Sequence, residues 1–185
     1  PDTSDDVTAE GTSPLRNFNH DILDVLLSDS FQEEFNRRIN ELPKGDYTRA
    51  KAHFMIGGQF NLHYRTTGSL ASLDHAIRYT EQALEELPKP HEELETYVAI
   101  YSHLLQQKAA KANTLEDADR YVSGLRLGIE LLEDCNLKEE KKRELGCAYF
   151  SRCGQTKNVG DLKLAIKTLE QCFETPEKRC PQTTI

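Results

Sequence analysis

Hydrophobic residues return every three or four positions in three separate stretches of this chain. The stretches begin after Ser69, after Thr114 and after Asn158. Such spacing places the hydrophobic side chains along one face of a helix, and serine, threonine and asparagine favour the position that caps a helix N-terminus. The pattern therefore predicts three amphipathic helices. Their hydrophobic faces are formed by Leu70, Leu73, Ala76, Ile77, Ala83, Leu84 and Leu87, by Leu115, Ala118, Val122, Leu125, Ile129 and Leu132, and by Leu162, Ala165, Ile166, Leu169, Cys172 and Phe173.

The three predicted helices belong to an internal repeat. Forty-five residues separate Ser69 from Thr114, and 44 residues separate Thr114 from Asn158. The same intervals relate three sets in which a small residue lies between two large ones: Ile56, Gly57 and Phe60, then Tyr101, Ser102 and Leu105, then Leu145, Gly146 and Tyr149. A small residue lets a neighbouring helix approach closely. We therefore expect three helical hairpins, formed by residues 49–67 with 69–87, 91–112 with 114–134, and 138–155 with 158–174.

Two amphipathic stretches precede the hairpins, and we expect residues 15–45 to form N-terminal capping helices that cover one end of the stack. Ser30 and Glu33 fit a capping box at the start of the second stretch. Residues 1–14 carry four acidic residues and no basic one, a composition that predicts a disordered leader. Residues 175–185 contain two prolines and are expected to be an irregular tail. The hydrophobic faces of the capping helices are Leu15, Phe18, Ile22, Val25 and Leu26, and Phe31, Phe35, Ile39 and Leu42.

The composition supports an all-α fold and narrows the function. Of the 185 residues, 29% are charged and only 10 are glycine, and the abundance of Ala, Leu, Glu, Gln, Lys and Arg favours helices. The 31 acidic and 23 basic residues give a net charge of -8. That charge argues against a nucleic-acid partner, because phosphates require clustered cations. No apolar stretch approaches the roughly 20 residues that span a bilayer, so we expect no membrane partner.

Cysteine usage indicates a reducing compartment. The five cysteines lie in the last third of the chain, at Cys135, Cys147, Cys153, Cys172 and Cys180. A secreted disulfide framework commonly uses an even number, so we expect free thiols and a cytoplasmic protein. The chain contains no Cys-x-x-Cys pair and no histidine after His103, so the sequence predicts no metal site. It also lacks a phosphate-binding glycine motif, and we expect no cofactor.

The repeat resembles the tetratricopeptide repeat (TPR), in which a small residue in the first helix precedes a large one and an alanine-centred second helix ends near proline. The usual TPR period is about 34 residues, so the longer period here implies longer helices. Residues 60–77 are similar to a phrase found in long-period TPR arrays of fungal and bacterial proteins. Such arrays often accompany a caspase-like CHAT protease domain or a STAND-type nucleotide-binding signalling module.

The resemblance covers residues 47–173 and implies a TPR-like right-handed superhelix of antiparallel helical hairpins, an α–α solenoid over residues 15–174. Its repeats would be residues 49–87, 91–134 and 138–174. The chain does not begin with methionine, and we interpret it as a scaffold or sensor part of a larger intracellular protein.

A TPR array presents a concave groove lined by the first helix of each hairpin, so the resemblance implies a module that binds a peptide or helix of a partner protein. Phe54 and Phe150 are candidate anchors for apolar side chains of the ligand. The alternative is that these two rings are core residues between repeats. The predicted partner-binding residues are Lys51, Phe54 and Asn61 in the first repeat, Thr96, His103 and Gln106 in the second, and Arg143, Cys147 and Phe150 in the third.

Two other functional classes compete with groove binding. Cys147 and His103 occupy matching repeat positions and are the best candidates for a cysteine nucleophile and its base. Neither lies at a helix N-terminus or in a sharp loop that would activate a thiol, so we expect no enzyme. The second alternative is self-association as a homodimer, or docking to another domain of the parent chain. An open apolar end of the stack at residues 162–173 would serve that role, because no further helical pattern follows it.

Overall fold

The computed structural model describes residues 22–133 and 136–174, with side chains as far as residue 172. The predicted leader (1–14), the first part of the capping helices (15–21) and the predicted tail (175–185) lie outside the described residues. The described residues are helical and include no strand, which confirms the all-α class. The helices are α1 (22–27), α2 (Asp29–Glu41), α3 (Tyr47–Thr67), α4 (Leu70–Glu86), α5 (Leu94–Ala112), α6 (Leu115–Leu131), α7 (Asn136–Thr156) and α8 (Val159–Glu174).

Helices that are adjacent in sequence are also adjacent in space. From α3 to α8, each helix packs against the next one, and short turns join α3 to α4, α5 to α6 and α7 to α8 as hairpins. The predicted hairpin helices begin and end within three residues of the observed ones. A continuous hydrophobic core runs through the stack. Its fully buried side chains include Phe60, Leu73, Ile77, Tyr97, Val98, Leu104, Leu105 and Leu125.

The three hairpin turns have the same two-residue design. The first residue adopts a left-handed conformation, and its N–H donates to the carbonyl four residues earlier. These residues are Gly68 (φ 74°), Asn113 (φ 52°) and Lys157 (φ 56°). The second residue is the predicted N-cap of the following helix. The side chains of Ser69, Thr114 and Asn158 accept hydrogen bonds from the backbone N–H groups of Ser72, Asp117 and Gly160 at 3.4, 3.1 and 2.8 Å.

One predicted cap is wrong. The sequence predicted Ser30 as the N-cap of the second capping helix, but α2 begins at Asp29, and Ser28 Oγ accepts the backbone N–H of Phe31 at 3.3 Å. The backbone of Ser28 is extended, with φ −67° and ψ 140°, as an N-cap requires. Ser30 already lies inside the helix. The earlier start also places the negative charge of Asp29 in the first turn, where it favours the helix dipole.

Small residues bring the paired helices close together. A Cβ added at Gly57 would lie 3.0 Å from a side-chain atom of α4, and a Cβ added at Gly146 would lie 2.6 Å from a side-chain atom of α8. In the second hairpin the close approach comes from the other helix, because a Cβ at Gly124 of α6 would lie 2.2 Å from Leu105 of α5. Ser102, the small residue that the repeat predicted there, is buried within α5.

Ion pairs join successive hairpins at equivalent positions. Lys108 Nζ on α5 lies 2.8 Å from Asp74 Oδ2 on α4, and Arg152 Nη1 on α7 lies 2.7 Å from Asp119 Oδ1 on α6. Arg152 also contacts Asp161 on α8 at 2.7 Å. In each case a cation on the first helix of one hairpin reaches the second helix of the preceding hairpin. The repeat of the sequence is therefore also a repeat of contacts.

A buried arginine holds α2 on the first hairpin. Arg49 Nη1 donates to the carbonyl oxygens of Ile39 and Leu42 at 2.6 and 3.1 Å. Carbonyl groups at the C-terminal end of a helix have no partner within that helix, so Arg49 satisfies them. Its Nη2 donates to Glu86 Oε1 at 2.6 Å. Three helices, α2, α3 and α4, thus meet at one guanidinium group.

Candidate functional site

A cleft opens between the second and third hairpins. Its volume is about 530 Å³, within the range of roughly 300–1,000 Å³ that ligand pockets occupy. Its lining comes mainly from α5 and α7, with two further residues from α6 and one from the turn after α5. The cleft thus lies between the first helices of two successive hairpins. The lining residues are Gln106, Ala109 and Ala110 from α5, Asn113 from the turn after α5, Ala118 and Tyr121 from α6, and Glu140, Arg143, Glu144, Cys147, Ala148, Ser151 and Gln155 from α7.

Alanine residues account for the open space. Ala109 lies 45 residues after Tyr64, so the two residues occupy equivalent repeat positions. The Tyr64 side chain is buried at the first hairpin, whereas Ala109 presents only a methyl group to the cleft. Ala110, Ala118 and Ala148 do the same from all three helices. These methyl groups leave the cleft open and give it an apolar surface.

A network of hydrogen bonds fixes one side of the cleft. The buried Lys141 Nζ donates to Glu144 Oε1 at 2.8 Å, and Tyr121 Oη donates to Glu144 Oε2 at 3.5 Å. Burial, and then the negative charge of Glu144, raises the pKa of Tyr121 above its ordinary value. The phenol therefore remains a hydrogen-bond donor at neutral pH. Glu144 is held in place by two donors from different helices.

Polar groups border the apolar surface on both sides. Gln155 Nε2 of α7 donates to Asn113 Oδ1 in the turn after α5 at 2.9 Å, and this bond links α7 to the C-terminal end of α5. Arg143 and Cys147 are exposed on α7. Among the described residues that line the cleft, Arg143 alone carries a positive charge. Its guanidinium can bind a carboxylate in a two-pronged geometry.

Three of the nine predicted partner-binding residues, Gln106, Arg143 and Cys147, line this cleft. They come from facing helices, so the structure brings together predicted positions of the second and third repeats. His103 is exposed outside the lining, and its Nε2 lies 2.5 Å from the amide nitrogen of Gln107. The candidate nucleophile Cys147 and its candidate base His103 therefore do not share the cleft.

The predicted residues of the first repeat have a different setting. Phe54 on α3 stacks on Tyr97 of α5, with ring centroids 3.9 Å apart and planes 4° from parallel. Lys51 is exposed, and its Nζ lies 5.5 Å from the centre of the Tyr47 ring. Asn61 is half-buried on the same helix. Phe54 thus packs between the first two hairpins, which is the arrangement that its alternative interpretation predicted.

Two predicted residues, Thr96 and Phe150, lie outside the cleft and outside the stacked pair of Phe54 and Tyr97. Thr96 is exposed near the start of α5. Phe150 is 64% exposed on α7 and does not line the cleft. Its ring is therefore not a core residue between the described hairpins.

Two cleft residues that the sequence analysis did not single out, Ala109 and Tyr121, can be identified by comparing equivalent positions of the repeats. Ala109 stands where the first repeat has Tyr64. Tyr121 stands where the first repeat has Ala76 and the third has Ala165. A small residue in place of a large one opens space, and a large residue in place of a small one fills it. Both departures from the repeat occur at the cleft.

Comparisons with protein-family models, with curated proteins and with solved structures find no match to this chain.

None of the described helices is long and apolar enough to cross a membrane. In the described part of the chain, no group of three or more His, Cys, Asp or Glu side chains could hold a metal ion. Cys147, Cys153 and Cys172 are free thiols.

Proposed function

We propose that this chain is a TPR-like protein-interaction module that binds a peptide or helix of a partner protein in the cleft between α5 and α7. The position of the cleft carries this proposal, because it separates Gln106 on one first helix from Arg143 and Cys147 on the next. The repeating turns, caps and ion pairs support a solenoid of stacked hairpins, which the TPR resemblance makes right-handed, and in a solenoid such a cleft belongs to the concave binding surface.

The lining indicates the chemistry of the ligand. The methyl groups of Ala109 and Ala148 favour apolar side chains. The amides of Gln106 and Gln155 can donate and accept hydrogen bonds, as a peptide backbone requires. Arg143 supplies a positive charge for a carboxylate. The two acids of the lining, Glu140 and Glu144, lie 3.7 and 2.8 Å from the ammonium group of Lys141, which offsets their negative charge. The proposed ligand is therefore a short peptide segment that combines apolar and acidic side chains.

One observation supports binding over catalysis, and a second supports a cytoplasmic location. Cys147 lies in the cleft, but His103 contacts Gln107 outside it, so the thiol lacks that base. The free thiols Cys147, Cys153 and Cys172 fit a reducing compartment.

Closing the cleft tests the proposal. Peptides selected on the immobilised chain from a random-peptide display library supply the ligands, and fluorescence polarisation measures their affinities. Ala109→Tyr restores the residue type found at Tyr64 and fills the cleft, so we expect affinity to fall at least about tenfold. Ala71→Tyr, at an exposed position of α4 outside the cleft, is the matched control and should leave affinity unchanged. Circular dichroism confirms that both variants are folded.

A second measurement compares the affinities of acidic and neutral peptides. Arg143→Gln should weaken the binding of acidic peptides more than that of neutral ones, because only the acidic peptides lose a charged partner. Selected peptides that bind Ala109→Tyr as tightly as the original chain would show that the cleft is not the binding site.

A further inference from the structure

The second helix of a hairpin presents a stripe of side chains to the hairpin that follows. On α4 the stripe consists of Asp74, Ile77 and Glu81. Asp74 forms an ion pair with Lys108 of α5, and Glu81 Oε1 accepts a hydrogen bond from Tyr101 Oη at 2.6 Å. Ile77, between the two acids, is completely buried. One apolar residue and its charged neighbours thus form the junction with the next hairpin.

Two of these positions recur at the second junction, on α6. Asp119, equivalent to Asp74, forms an ion pair with Arg152 of α7. Val122, equivalent to Ile77, is only 4% exposed. Both of the first two stripes therefore place an aspartate against a cation of the following helix and cover the apolar residue beside it.

The equivalent stripe on α8 is exposed. It consists of Lys163, Ile166 and Glu170, which are equivalent to Asp74, Ile77 and Glu81, together with Val159, whose equivalents Leu70 and Leu115 are also exposed. Steps of four, three and four residues place the four side chains on one side of α8. All four side chains are exposed, and Ile166 is 49% exposed. The opposite side of α8 carries the buried Ala165, which packs against α7. We call Val159, Lys163, Ile166 and Glu170 the open stripe.

The open stripe reverses the charge of the earlier stripes at one position, whereas Glu170 keeps the acidic residue found at Glu81. Lys163 stands where α4 has Asp74 and α6 has Asp119. A following helix with a lysine or arginine at the position of Lys108 and Arg152 would meet a like charge there. The open stripe is therefore not a third copy of the junction used twice before.

The open stripe is complementary to itself. Lys163 and Glu170 lie two helical turns apart, about 10 Å along the axis, with Ile166 between them. When a second copy of α8 packs antiparallel about a two-fold axis next to Ile166, each Lys163 faces Glu170 of the second copy. The two Ile166 side chains meet near the axis. Opposite charges then pair twice around an apolar centre.

An exposed aromatic residue adds to the same end of the molecule. Phe150 on α7 occupies the position equivalent to Gln106 on α5. Gln106 lines the cleft that faces the next hairpin, so Phe150 lies on the side of α7 that has no described hairpin beside it. Its exposed ring adds an apolar side chain to that side of α7.

We propose that this chain forms a two-fold symmetric dimer in which the open stripe of α8 packs against the open stripe of a second copy. Such an interface is isologous, so one patch serves as both partners. The dimer uses α8, and the peptide cleft lies between α5 and α7, so the two surfaces are independent.

Charge reversal tests the dimer. Sedimentation velocity over a range of concentrations measures the dimerisation of the original chain, of Lys163→Glu and of Glu170→Lys. Each substitution gives the stripe a single sign of charge, so we expect dimerisation to weaken at least about tenfold. An equimolar mixture of the two variants pairs an acidic stripe with a basic one, and we expect the dimer to return in the mixture. Lys111→Glu, at an exposed position of α5, is the control and should dimerise normally.

The outcomes separate this interface from its alternatives. A chain that remains monomeric at every concentration would overturn the proposal and leave the open stripe to a different protein. A dimer that survives both Lys163→Glu and Glu170→Lys would also overturn it, because the contact would then lie elsewhere. Circular dichroism shows whether the variants keep their helix content, which we expect because both side chains are exposed.

Discussion

Lys157 occupies a backbone position that favours glycine. It begins the third hairpin turn with φ 56°, and its counterparts in the first two turns are Gly68 and Asn113. Glycine adopts this conformation freely and asparagine tolerates it, but a side chain such as lysine strains it. The sequence predicted the cap at Asn158 correctly. It did not predict the conformation of Lys157, because lysine is a good helix former and continues the helical pattern.

Replacing Lys157 with glycine should therefore stabilise the fold. We expect Lys157→Gly to raise the free energy of unfolding by about 0.5–1 kcal/mol, since the relief of strain exceeds the added flexibility of the unfolded chain. The midpoint of urea denaturation measures this change. Lys157→Ala is the control, because it removes the same hydrogen bond from Lys157 Nζ to the Gly154 carbonyl but keeps a Cβ. Equal stability of the two variants would show that backbone strain is absent.

At the scale of helices, His53 lies where α2, α3 and α4 meet. Its ring contacts Phe35 of α2 with centroids 5.2 Å apart and lies near Tyr79 of α4. Neither ring nitrogen has a hydrogen-bond partner in the described structure. Burial lowers the pKa of His53 below its ordinary value, against an opposing effect of Glu86 and with a smaller contribution from Arg49. The junction is therefore built around a neutral imidazole.

This junction should weaken in mild acid. The unfolded chain takes up a proton on His53 near pH 6.5, whereas the folded chain resists protonation until lower pH. Stability is therefore lost as the pH falls from about 6.5 through the folded pKa. His53→Phe keeps a ring beside Phe35 and removes the proton site, so we expect a smaller loss of stability between pH 7.5 and 5.5.

Urea denaturation at the two pH values measures the difference between His53→Phe and the original chain. Nuclear magnetic resonance of the ring gives the His53 pKa directly. His75→Phe is the matched control, because burial also lowers the pKa of His75 but its ring is less buried; its effect should be smaller. A His53 ring that titrates at pH 6.5 or above would contradict the account.

The sequence predicted the second helix of each hairpin more directly than the first. Helices α4, α6 and α8 bury mainly one face, so their hydrophobic residues follow a simple helical period. The first helices pack on neighbours from two sides, and α7 even buries a charged residue, Lys141, against Glu144. Their hydrophobic residues therefore show no single stripe. Only the repeat of a small residue between two large ones revealed them.

At the scale of the whole molecule, the repeat predicted where the hairpins meet but not how tightly they fit. The first junction is filled by the stacked rings of Phe54 and Tyr97, and the second is left open by Ala109 and Ala110. Equivalent positions of a repeat share a location and not a side-chain volume. The predicted groove residues therefore include Phe54, which packs between hairpins, and Gln106, which lines the cleft.

Packing from each helix to the next also predicts how the stack unfolds. In a linear array, stability is approximately the sum of the stabilities of the units and of the junctions between them. Arg152 joins the last hairpin to the preceding one through Asp119 and also holds Asp161, whose side chain is only 5% exposed. Lys108 is the equivalent cation at the first junction, but its partner Asp74 is 48% exposed. The two cations therefore differ in the burial of the charge that they neutralise.

Removing Arg152 should loosen the last hairpin selectively. Arg152→Met leaves the buried Asp161 without its cation, and we expect the free energy of unfolding to fall by about 3 kcal/mol. Lys108→Met removes the cation beside Asp74, but this carboxylate is already solvated, so we expect the free energy of unfolding to fall by less than about 1 kcal/mol. Hydrogen exchange followed by mass spectrometry should show faster exchange in α7 and α8 of Arg152→Met and unchanged exchange in α3 and α4.

The pH dependence of this loss identifies its cause. Arg152 lowers the pKa of Asp161 below its ordinary value of 3.8, so the pair stabilises the fold above that pH and loses its effect as the pH falls through the folded pKa. The difference in stability between Arg152→Met and the original chain should therefore be full at neutral pH and shrink below pH 3.8. A difference that stays constant in acid would assign the loss to packing of the arginine side chain. Faster exchange in every helix would show that the hairpins unfold as one unit.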